Sequence, residues 1–389
     1  MTLHPSSARY HQIVDVAVTE SFGFPISGAG GYDPGGPPRF QIDDRGTMFR
    51  RWFWAVLLAF ISGTSLSAQS STPIISGGVQ YLSTTSGGAT VFQPVIAPVV
   101  VAPIGDHWLI QSRATFDEVI FREDGSTGPY HALTFSSVDY LQLSYIADPH
   151  LTVTVGEFLT PFNIYNERLG PVWIHNLADA PLIAGIGTRT SSSSDGAMLS
   201  GVALARKDWQ LNYNTYFSAL VNAHHFGAGR SAGGRVGVFV PSRRLEVGVS
   251  YQRFLQDQHV NSSGLYLVWQ PNAAPLDVRA EYAHTRGGQG YWVEGAYRFS
   301  RFRGSTSWLG RLQAVARMQQ FYLGKPTPDD VNPGADTQKF DFGLNYYLPH
   351  NLRLNTSYGR QFSSLGNANI WNVQITYRFL FPLIPGESK

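Results

Sequence analysis

The chain of 389 residues contains no cysteine, so disulfide bonds and thiolate metal sites are excluded. Charged residues make up only 14% of the sequence, against about 25% in a typical soluble domain. No apolar run reaches the ~20 residues that a membrane-spanning helix needs. The 29 basic and 27 acidic residues almost cancel, so we expect no nucleic-acid partner.

Glycine and aromatic residues are abundant instead, with 40 Gly, 24 Phe, 19 Tyr and 9 Trp. A chain of this length ordinarily suggests about two domains. Beyond residue 68, however, no linker or change of composition divides the sequence. A single large β-barrel fits that absence.

Apolar residues occupy every second position near the end of the chain. Over residues 371–379, Trp, Val, Ile, Tyr and Phe alternate with Asn, Gln, Thr and Arg, and residues 340–347 and 352–359 follow a similar period. This period predicts strands with one apolar and one polar face. A soluble β-sandwich would show the same period of two, so the period alone does not say what the apolar face meets. Whether that face meets lipid depends on whether the chain is exported.

The same reading extends over most of the sequence. The predicted strands are 74–82, 90–101, 107–120, 131–146, 151–158, 197–206, 208–218, 231–240, 244–255, 263–270, 276–285, 290–299, 309–320, 338–347, 351–361 and 369–379. Short and long connections alternate, as in outer-membrane barrels. We therefore predict an all-β fold, a transmembrane antiparallel β-barrel of about 16 strands, with fourteen and eighteen as alternatives. Aromatic residues near strand ends, among them Tyr291, Trp371 and Tyr377, are expected to form interfacial girdles.

Export is predicted from residues 48–68. Met48 to Arg51 is basic, residues 52–61 are apolar, and residues 62–68 are mostly small and end in Ala68, which is the layout of a secretory signal peptide. The apolar part is too short to cross ~30 Å of hydrocarbon. We expect residues 1–47 to be a non-translated or disordered leader and residues 69–389 to be the outer-membrane barrel. The alternative is that residues 52–61 belong to a larger soluble protein.

One segment carries a family resemblance. Residues 156–162 read Gly-Glu-Phe-Leu-Thr-Pro-Phe, follow a β-hairpin and enter a long connection. The segment resembles the Gly-x-Phe-x-x-Pro-Phe sequence of the phosphate-selective porin O and P family. The resemblance implies a sixteen-stranded porin, a homotrimer, and a loop that folds into the lumen as a constriction.

The connection over residues 159–196 is far longer than a typical loop, which points to a function or to disorder. Aromatic side chains such as Phe162, Tyr165 and Trp173 favour packing over disorder. We therefore predict that it forms a constriction inside the barrel. Alternatively, it caps the extracellular mouth or packs at a trimer interface. The candidate residues at the constriction are Arg168, His175, Asp179 and Arg189.

If the apolar side of each strand faces lipid, the polar side lines the lumen. The predicted pore-lining residues are Arg235, Arg244, Arg279, Arg298, Arg311, Arg317, Arg353, Arg378, Glu246, Asp277, Glu281, Glu294 and Asp341. Arginines outnumber carboxylates in this set, and an excess of arginine can favour anions. The alternative is that these arginines pair with carboxylates across strands and stabilise the wall.

The predicted function is passive or weakly anion-selective diffusion of small hydrophilic solutes through the outer membrane of a Gram-negative-type bacterium. Its expected partners are outer-membrane lipid and these solutes, and we predict no cofactor, no metal and no catalytic residue. A substrate-specific outer-membrane channel is one alternative. An outer-membrane enzyme or adhesin on a barrel scaffold is another.

N-terminal sequencing of the protein isolated from membranes is expected to begin at Gln69, because signal peptidase cleaves after small residues such as Ala68. Replacing Ala68 by Leu should leave the precursor uncleaved. A mature protein whose first residue lies upstream of Met48 would contradict both the leader and the signal peptide.

Overall fold

The computed structural model describes residues 73–122, 128–186, 193–220, 230–255, 259–303, 307–325 and 333–382. The predicted leader and signal peptide lie outside these ranges. The strands are β1 (Ile74–Ser86), β2 (Ala89–Ile104), β3 (Trp108–Arg122), β4 (Tyr130–Asp148), β5 (Leu151–Leu159), β6 (Ser193–Ala205), β7 (Gln210–Leu220), β8 (Ser231–Val240), β9 (Leu245–Phe254), β10 (Asn261–Trp269), β11 (Leu276–Thr285), β12 (Gly288–Arg298), β13 (Leu312–Leu323), β14 (Thr337–Tyr347), β15 (Leu352–Ser363) and β16 (Ala368–Pro382).

The sheet closes on itself. Each strand pairs antiparallel with its neighbours in the chain, and β1 pairs with β16 from Ile74 opposite Pro382 to Ser86 opposite Ile370. A closed sheet leaves no backbone N–H or C=O row unpaired, which is the condition for β structure in hydrocarbon. The predicted barrel and its sixteen strands are confirmed. The predicted last strand stopped at Phe379, whereas β16 continues to Pro382 because it pairs with the start of β1.

The two faces of the wall differ as the alternation predicted. In β16, Trp371 and Val373 are 56% and 60% exposed, whereas Asn372 and Gln374 between them are 3% and 1% exposed. The exposed apolar set recurs around the barrel and forms its outer surface. The polar set of each strand therefore faces the lumen.

The two rims differ in the length of their connections. One rim carries the connections 105–107, 149–150, 206–209, 241–244, 270–275, 299–311 and 348–351, together with both ends of the barrel. The opposite rim carries residues 160–192, the longest connection of all. Short helical turns occur at Tyr165–Leu169, Pro241–Arg243, Ser300–Arg303 and Leu309–Arg311. Among the described residues, no helix is both long and apolar enough to cross a bilayer.

Two predicted pore-lining residues lie in turns at the rim. Arg244 has a φ of 47° and follows the 3₁₀ turn Pro241–Arg243, so β9 begins only at Leu245. Arg311 ends the 3₁₀ turn that precedes β13. The prediction that these two arginines belong to the strands is wrong, because local turn hydrogen bonds replace the strand pairing at both positions.

Two neighbouring residues of β4 test which face meets lipid. Leu141 is 52% exposed on the outer surface, while Gln142 donates a hydrogen bond to Gln111 across the lumenal face. Leu141→Arg is expected to lower the free energy of unfolding in liposomes by about 2–4 kcal/mol, the cost of arginine near the bilayer midplane. Gln142→Arg should have little effect. Equal losses for the two variants would contradict the orientation of the wall.

Candidate channel constriction

The long connection lies inside the barrel. We call its described part, Thr160–Ile186, the inner loop. Its side chains meet the polar, lumenal side of strands around the circumference: a Cβ on Gly78 of β1 would lie 2.5 Å from Trp173, and one on Gly343 of β14 would lie 2.6 Å from Leu177. A segment outside the wall could not reach the polar side of strands so far apart. The predicted placement in the lumen is confirmed, and the extracellular-cap alternative is wrong.

Asn163 joins the inner loop to four strands. Its backbone N–H donates to Ser250 Oγ of β9 at 2.9 Å, and its carbonyl accepts from Arg235 of β8 at 2.7 Å. Its side chain donates to the carbonyl of Tyr282 in β11 at 3.1 Å. On β10, a Cβ at Gly264 would clash with Asn163 Oδ1, so glycine makes room for this side chain.

Glu281 of β11 accepts hydrogen bonds from the residues at the start of the loop's short helical turn. Its Oε1 accepts from the backbone N–H groups of Ile164 and Tyr165 at 2.6 and 2.8 Å. Its Oε2 accepts from Trp292 Nε1 at 2.9 Å. The carboxylate is thus buried with several donors, which offsets the cost of removing it from water.

Charged side chains of the helical turn pair with the same region of the wall. Arg168 lies 2.7 Å from Glu246, and Glu167 lies 2.6 Å from Arg235. Tyr266 donates to Glu246 at 2.8 Å. The two ion pairs cross between loop and wall, so they fix the position of the turn along the barrel.

Asn176 anchors the second part of the loop through amide groups. Its side chain donates to Glu294 at 2.8 Å, and its carbonyl accepts from Asn345 and Asn355 at 2.8 and 3.0 Å. Asn355 also donates to Asn345 Oδ1 at 2.7 Å. This network connects β12, β14 and β15 to one residue of the loop.

Asp179 lies between two cations of the wall. Arg317 of β13 approaches its carboxylate at 3.0 Å, and Lys339 of β14 forms a direct ion pair with it. Asp341 forms ion pairs with the same two cations, with Arg317 at 3.2 Å and Lys339 at 3.7 Å. Burial alone would raise the pKa of the Asp179 carboxyl, but Lys339 and Arg317 hold that pKa below its usual range. The carboxylate therefore stays charged at neutral pH, and this contribution to stability is lost only as the pH falls through the lowered pKa.

An apolar cluster completes the contact between loop and wall. The loop supplies Phe162, Ile164 and Leu182 among others, and the wall supplies Trp292 and Phe321. Their side chains are 0–8% exposed. The part of the lumen beside β10 to β13 thus contains a packed core that includes these residues.

His175 stacks on Tyr165, with ring centroids 5.6 Å apart. Burial, with the nearby guanidinium groups of Arg353, Arg279 and Arg317, lowers the pKa of His175 to about 3. The imidazole is therefore neutral near pH 7 and adds no charge to the constriction.

The predicted wall residues that lie on strands are mostly covered. Arg235, Arg279, Arg317, Glu281 and Glu294 are each 4–8% exposed. These residues contact the inner loop or one another, as the pairing alternative proposed. Of the predicted loop residues, Arg189 lies outside the described residues. The remaining predicted wall residues on strands are Glu246, Asp277, Arg298, Asp341, Arg353 and Arg378.

Sequence reasoning missed a charged pair on the opposite side of the lumen. Arg113 of β3 lies 2.6 Å from Asp139 of β4, and Thr115 donates to the same carboxylate at 2.7 Å. Arg113 could have been found from the alternation of β3. Asp139 could not, because a β-bulge opposite Arg113 and Ala114 brings it to the lumenal side.

The comparisons with known proteins identify the fold. No protein-family model matches the sequence, and no curated protein matches it significantly. The anion-selective porin from Comamonas acidovorans is similar in structure, with 9% identity, a TM-score of 0.53, and coverage of 80% of this chain and 100% of the porin. OprB of Pseudomonas putida, in its low-pH structure, is 8% identical with a TM-score of 0.52, covering 87% of this chain and 98% of OprB.

At these identities the likeness concerns the fold alone. It shows a sixteen-stranded barrel of the porin type, and it agrees with the predicted outer-membrane location.

Asp179→Asn is expected to raise single-channel conductance in planar bilayers. The amide would leave Lys339 and Arg317 with one carboxylate fewer, and removing one partner of a buried ion pair costs about 3–5 kcal/mol. The wall would then hold the inner loop less tightly, and the loop would obstruct the lumen less. Asp208→Asn, in the exposed β6–β7 turn, is the matched control and should conduct like the wild type. Wild-type conductance together with wild-type thermal stability in Asp179→Asn would contradict the anchoring role.

Proposed function

We propose that the protein is an outer-membrane diffusion channel for small hydrophilic solutes. The observation that carries this proposal is a closed barrel with an apolar outer face and a polar inner face, narrowed by a loop that the wall holds in place. Charged side chains on the lipid side would cost several kcal/mol each near the midplane, whereas a wet lumen tolerates them. The role is non-enzymatic, since conduction needs only the passage and its lining.

The topology supports an orientation in the membrane. In outer-membrane barrels the short turns lie on the periplasmic side and the longer loops outside. The rim that carries both barrel ends and the short connections is then periplasmic, and the inner loop enters from outside. Residues 48–68 would direct the chain to this location and be removed on export.

The passage runs between the inner loop and strands β3 and β4. Gln111, Thr115 and Gln142 on the lumenal side of these strands are only half-buried, in contrast to the covered residues of β11 to β13. Arg113 and Asp139 lie on the same side as a compensated pair. Solutes would therefore meet mainly amide and hydroxyl groups along this part of the route, because the charged pair is largely buried.

A weak anion preference is supported by three lumenal arginines near the periplasmic rim. Arg298 lies over the Tyr347 ring at 4.4 Å, and Arg353 donates to the carbonyl of Val172 at 3.3 Å. Arg378 is exposed near the end of β16. Among the described residues, none of the three has a carboxylate within 4.0 Å of its guanidinium. Unbalanced arginines beside a pore raise the local concentration of anions.

Membership of the phosphate-selective porin O and P family is part of the same proposal. The segment that resembles this family, residues 156–162, ends β5 and leads directly into the inner loop. The family resemblance also supports a homotrimer. Chemical cross-linking in native membranes is expected to yield a trimer band.

The selectivity is tested by reversal potential in a salt gradient across a planar bilayer. The double variant Arg298→Gln and Arg378→Gln is expected to move the reversal potential toward the cation-selective side, because two unbalanced positive charges leave the lumen. The matched control, Arg253→Gln with Arg360→Gln, removes two arginines from the outer face and should leave it unchanged. A cation-selective wild-type channel would refute the anion preference while leaving the diffusion channel intact.

A substrate-specific channel is the second candidate, favoured by the tight packing of the inner loop against the wall. It predicts that conductance or uptake saturates with the concentration of one solute. Uptake that rises linearly for several unrelated small solutes would decide for the general channel.

A further inference from the structure

The alternation of the wall is reversed in the upper part of strands β3 and β4. Thr115 lies on the lumenal side of β3, and the odd-numbered residues that follow it point the same way. The strand register places Phe135 opposite Asp117 and Leu133 opposite Val119, all on this lumenal face. Phe135 and Leu133 are 43% and 39% exposed, so apolar side chains are presented to the lumen here.

Four apolar residues form this surface, and we call Val119, Phe121, Leu133 and Phe135 the mouth patch. Val119 is buried, and the ring of Phe121 lies beside that of His131 with centroids 6.1 Å apart. The mouth patch therefore has a packed side and two exposed side chains. The exposed side chains are the part that a solute in the lumen can contact.

The mouth patch lies at the end of the passage from which the inner loop enters. At that rim β3 ends with Arg122 and β4 begins with Tyr130. β4 pairs with β5 only over residues 141–148, so the mouth patch lies above the pairing between these two strands. The amide and hydroxyl groups of the passage lie lower on the same face. A solute entering from outside would therefore meet the mouth patch first.

The other face of the same strand segments is more polar. Thr134 and Ser136 of β4 are exposed on the outer side, opposite Glu118 and Phe116 of β3. Beyond Phe116 the outer surface thus loses the apolar character of a wall that meets hydrocarbon. The mouth patch faces the lumen and is consequently not a contact with lipid.

An acidic side chain borders the mouth patch. Asp117 lies between Val95 of β2 and Phe135 of β4 in one cross-strand row. Its Oδ2 accepts from Gln93 Nε2 at 3.3 Å, whereas its Oδ1 is buried and has no hydrogen-bond partner among the described residues. A carboxylate that is partly removed from water without enough donors is unfavourable, and a bound positive charge would offset that cost.

The basic residues of these strands have other partners. Arg113, lower on the lumenal face, pairs with Asp139 at 2.6 Å. Arg122 lies over the ring of Tyr130 at 4.2 Å, on the outer side. In the part of the chain that the structure describes, no Lys or Arg lies within 4.0 Å of the Asp117 carboxylate. The charge of Asp117 is therefore not balanced by an ion pair.

We propose that the mouth patch and Asp117 bind small organic cations with an apolar body, of the arylalkylammonium type. The apolar body lies against Leu133 and Phe135, and the ammonium group lies beside Asp117. Directly opposite residues on antiparallel strands have Cβ atoms about 4.5–5.5 Å apart, so one small ligand can contact Phe135 and Asp117 together. The Phe135 ring also attracts a cation through its face.

This inference rests on the proposed channel function and names a class of solute that the passage takes up at its outer end. It does not oppose the weak anion preference, because the unbalanced arginines lie near the periplasmic rim. The two ends of the passage then act on different parts of the route.

Binding is measured on the mature protein in detergent by isothermal titration calorimetry, with phenethylammonium as the probe and micelles alone as the blank. The wild type is expected to bind the probe saturably. The double variant Leu133→Ser with Phe135→Ser, and separately Asp117→Asn, should bind roughly tenfold more weakly. The matched control, Thr134→Ala with Ser136→Ala on the other face of β4, should bind like the wild type.

Two further probes separate the apolar and the charged contributions. Methylammonium lacks the apolar body and phenylacetate carries the opposite charge, so each should bind the wild type roughly tenfold more weakly than phenethylammonium. Equal binding of phenylacetate would overturn the assignment to cations. Wild-type binding by the Leu133 and Phe135 variant, with heat-modifiable migration confirming its folded barrel, would overturn the role of the mouth patch.

Ion current in planar bilayers distinguishes a failure of this site from a failure of the proposed channel. Phenethylammonium added on the outer side is expected to reduce the wild-type current saturably and to leave the current of the Leu133 and Phe135 variant unchanged. A wild type that conducts but does not bind the probe refutes the site alone. A wild type that binds the probe but does not conduct supports the site and refutes the channel.

Discussion

The rest of the structure depends on the closure of the sheet between β1 and β16. Thirteen residues of β1 find partners along β16, so no backbone edge faces lipid. Closure also creates two environments from one wall, because alternate side chains point to opposite sides. One environment accepts apolar residues, and the other can accept charges, amides and a folded loop. Every feature of the lumen follows from this separation.

The inner loop occupies part of the lumen and packs against the wall. A loop of this length loses much conformational entropy on ordering, so it requires several independent contacts. Asn163, Asn176 and Asp179 supply them at three points along the loop, and the apolar cluster fills the space between. Because the charged groups of the wall pair with the loop, the same residues that suggested a pore lining serve largely as attachment points.

The charged side chains of the lumen therefore differ in what they contact. Paired groups such as Arg317 with Asp179 and Arg168 with Glu246 hold the loop. Arg353 contributes to the same attachment, because it is buried and donates to the carbonyl of Val172 in the loop. Arg298 and Arg378 have no carboxylate within 4.0 Å among the described residues.

The barrel and about sixteen strands could be predicted from the sequence, because the period of two and the spacing of turns are local properties. The lumenal placement of the long connection was predicted too, but the sequence left an extracellular cap and a trimer contact open. Strands 231–240 and 276–285 were predicted with their observed ends. Which charges meet could not be predicted from the sequence. Asp179 and Lys339 are 160 positions apart, and Asp139 reaches the lumen through a bulge. Such contacts depend on how the closed wall places distant strands around the loop, which alternation along a single strand does not encode.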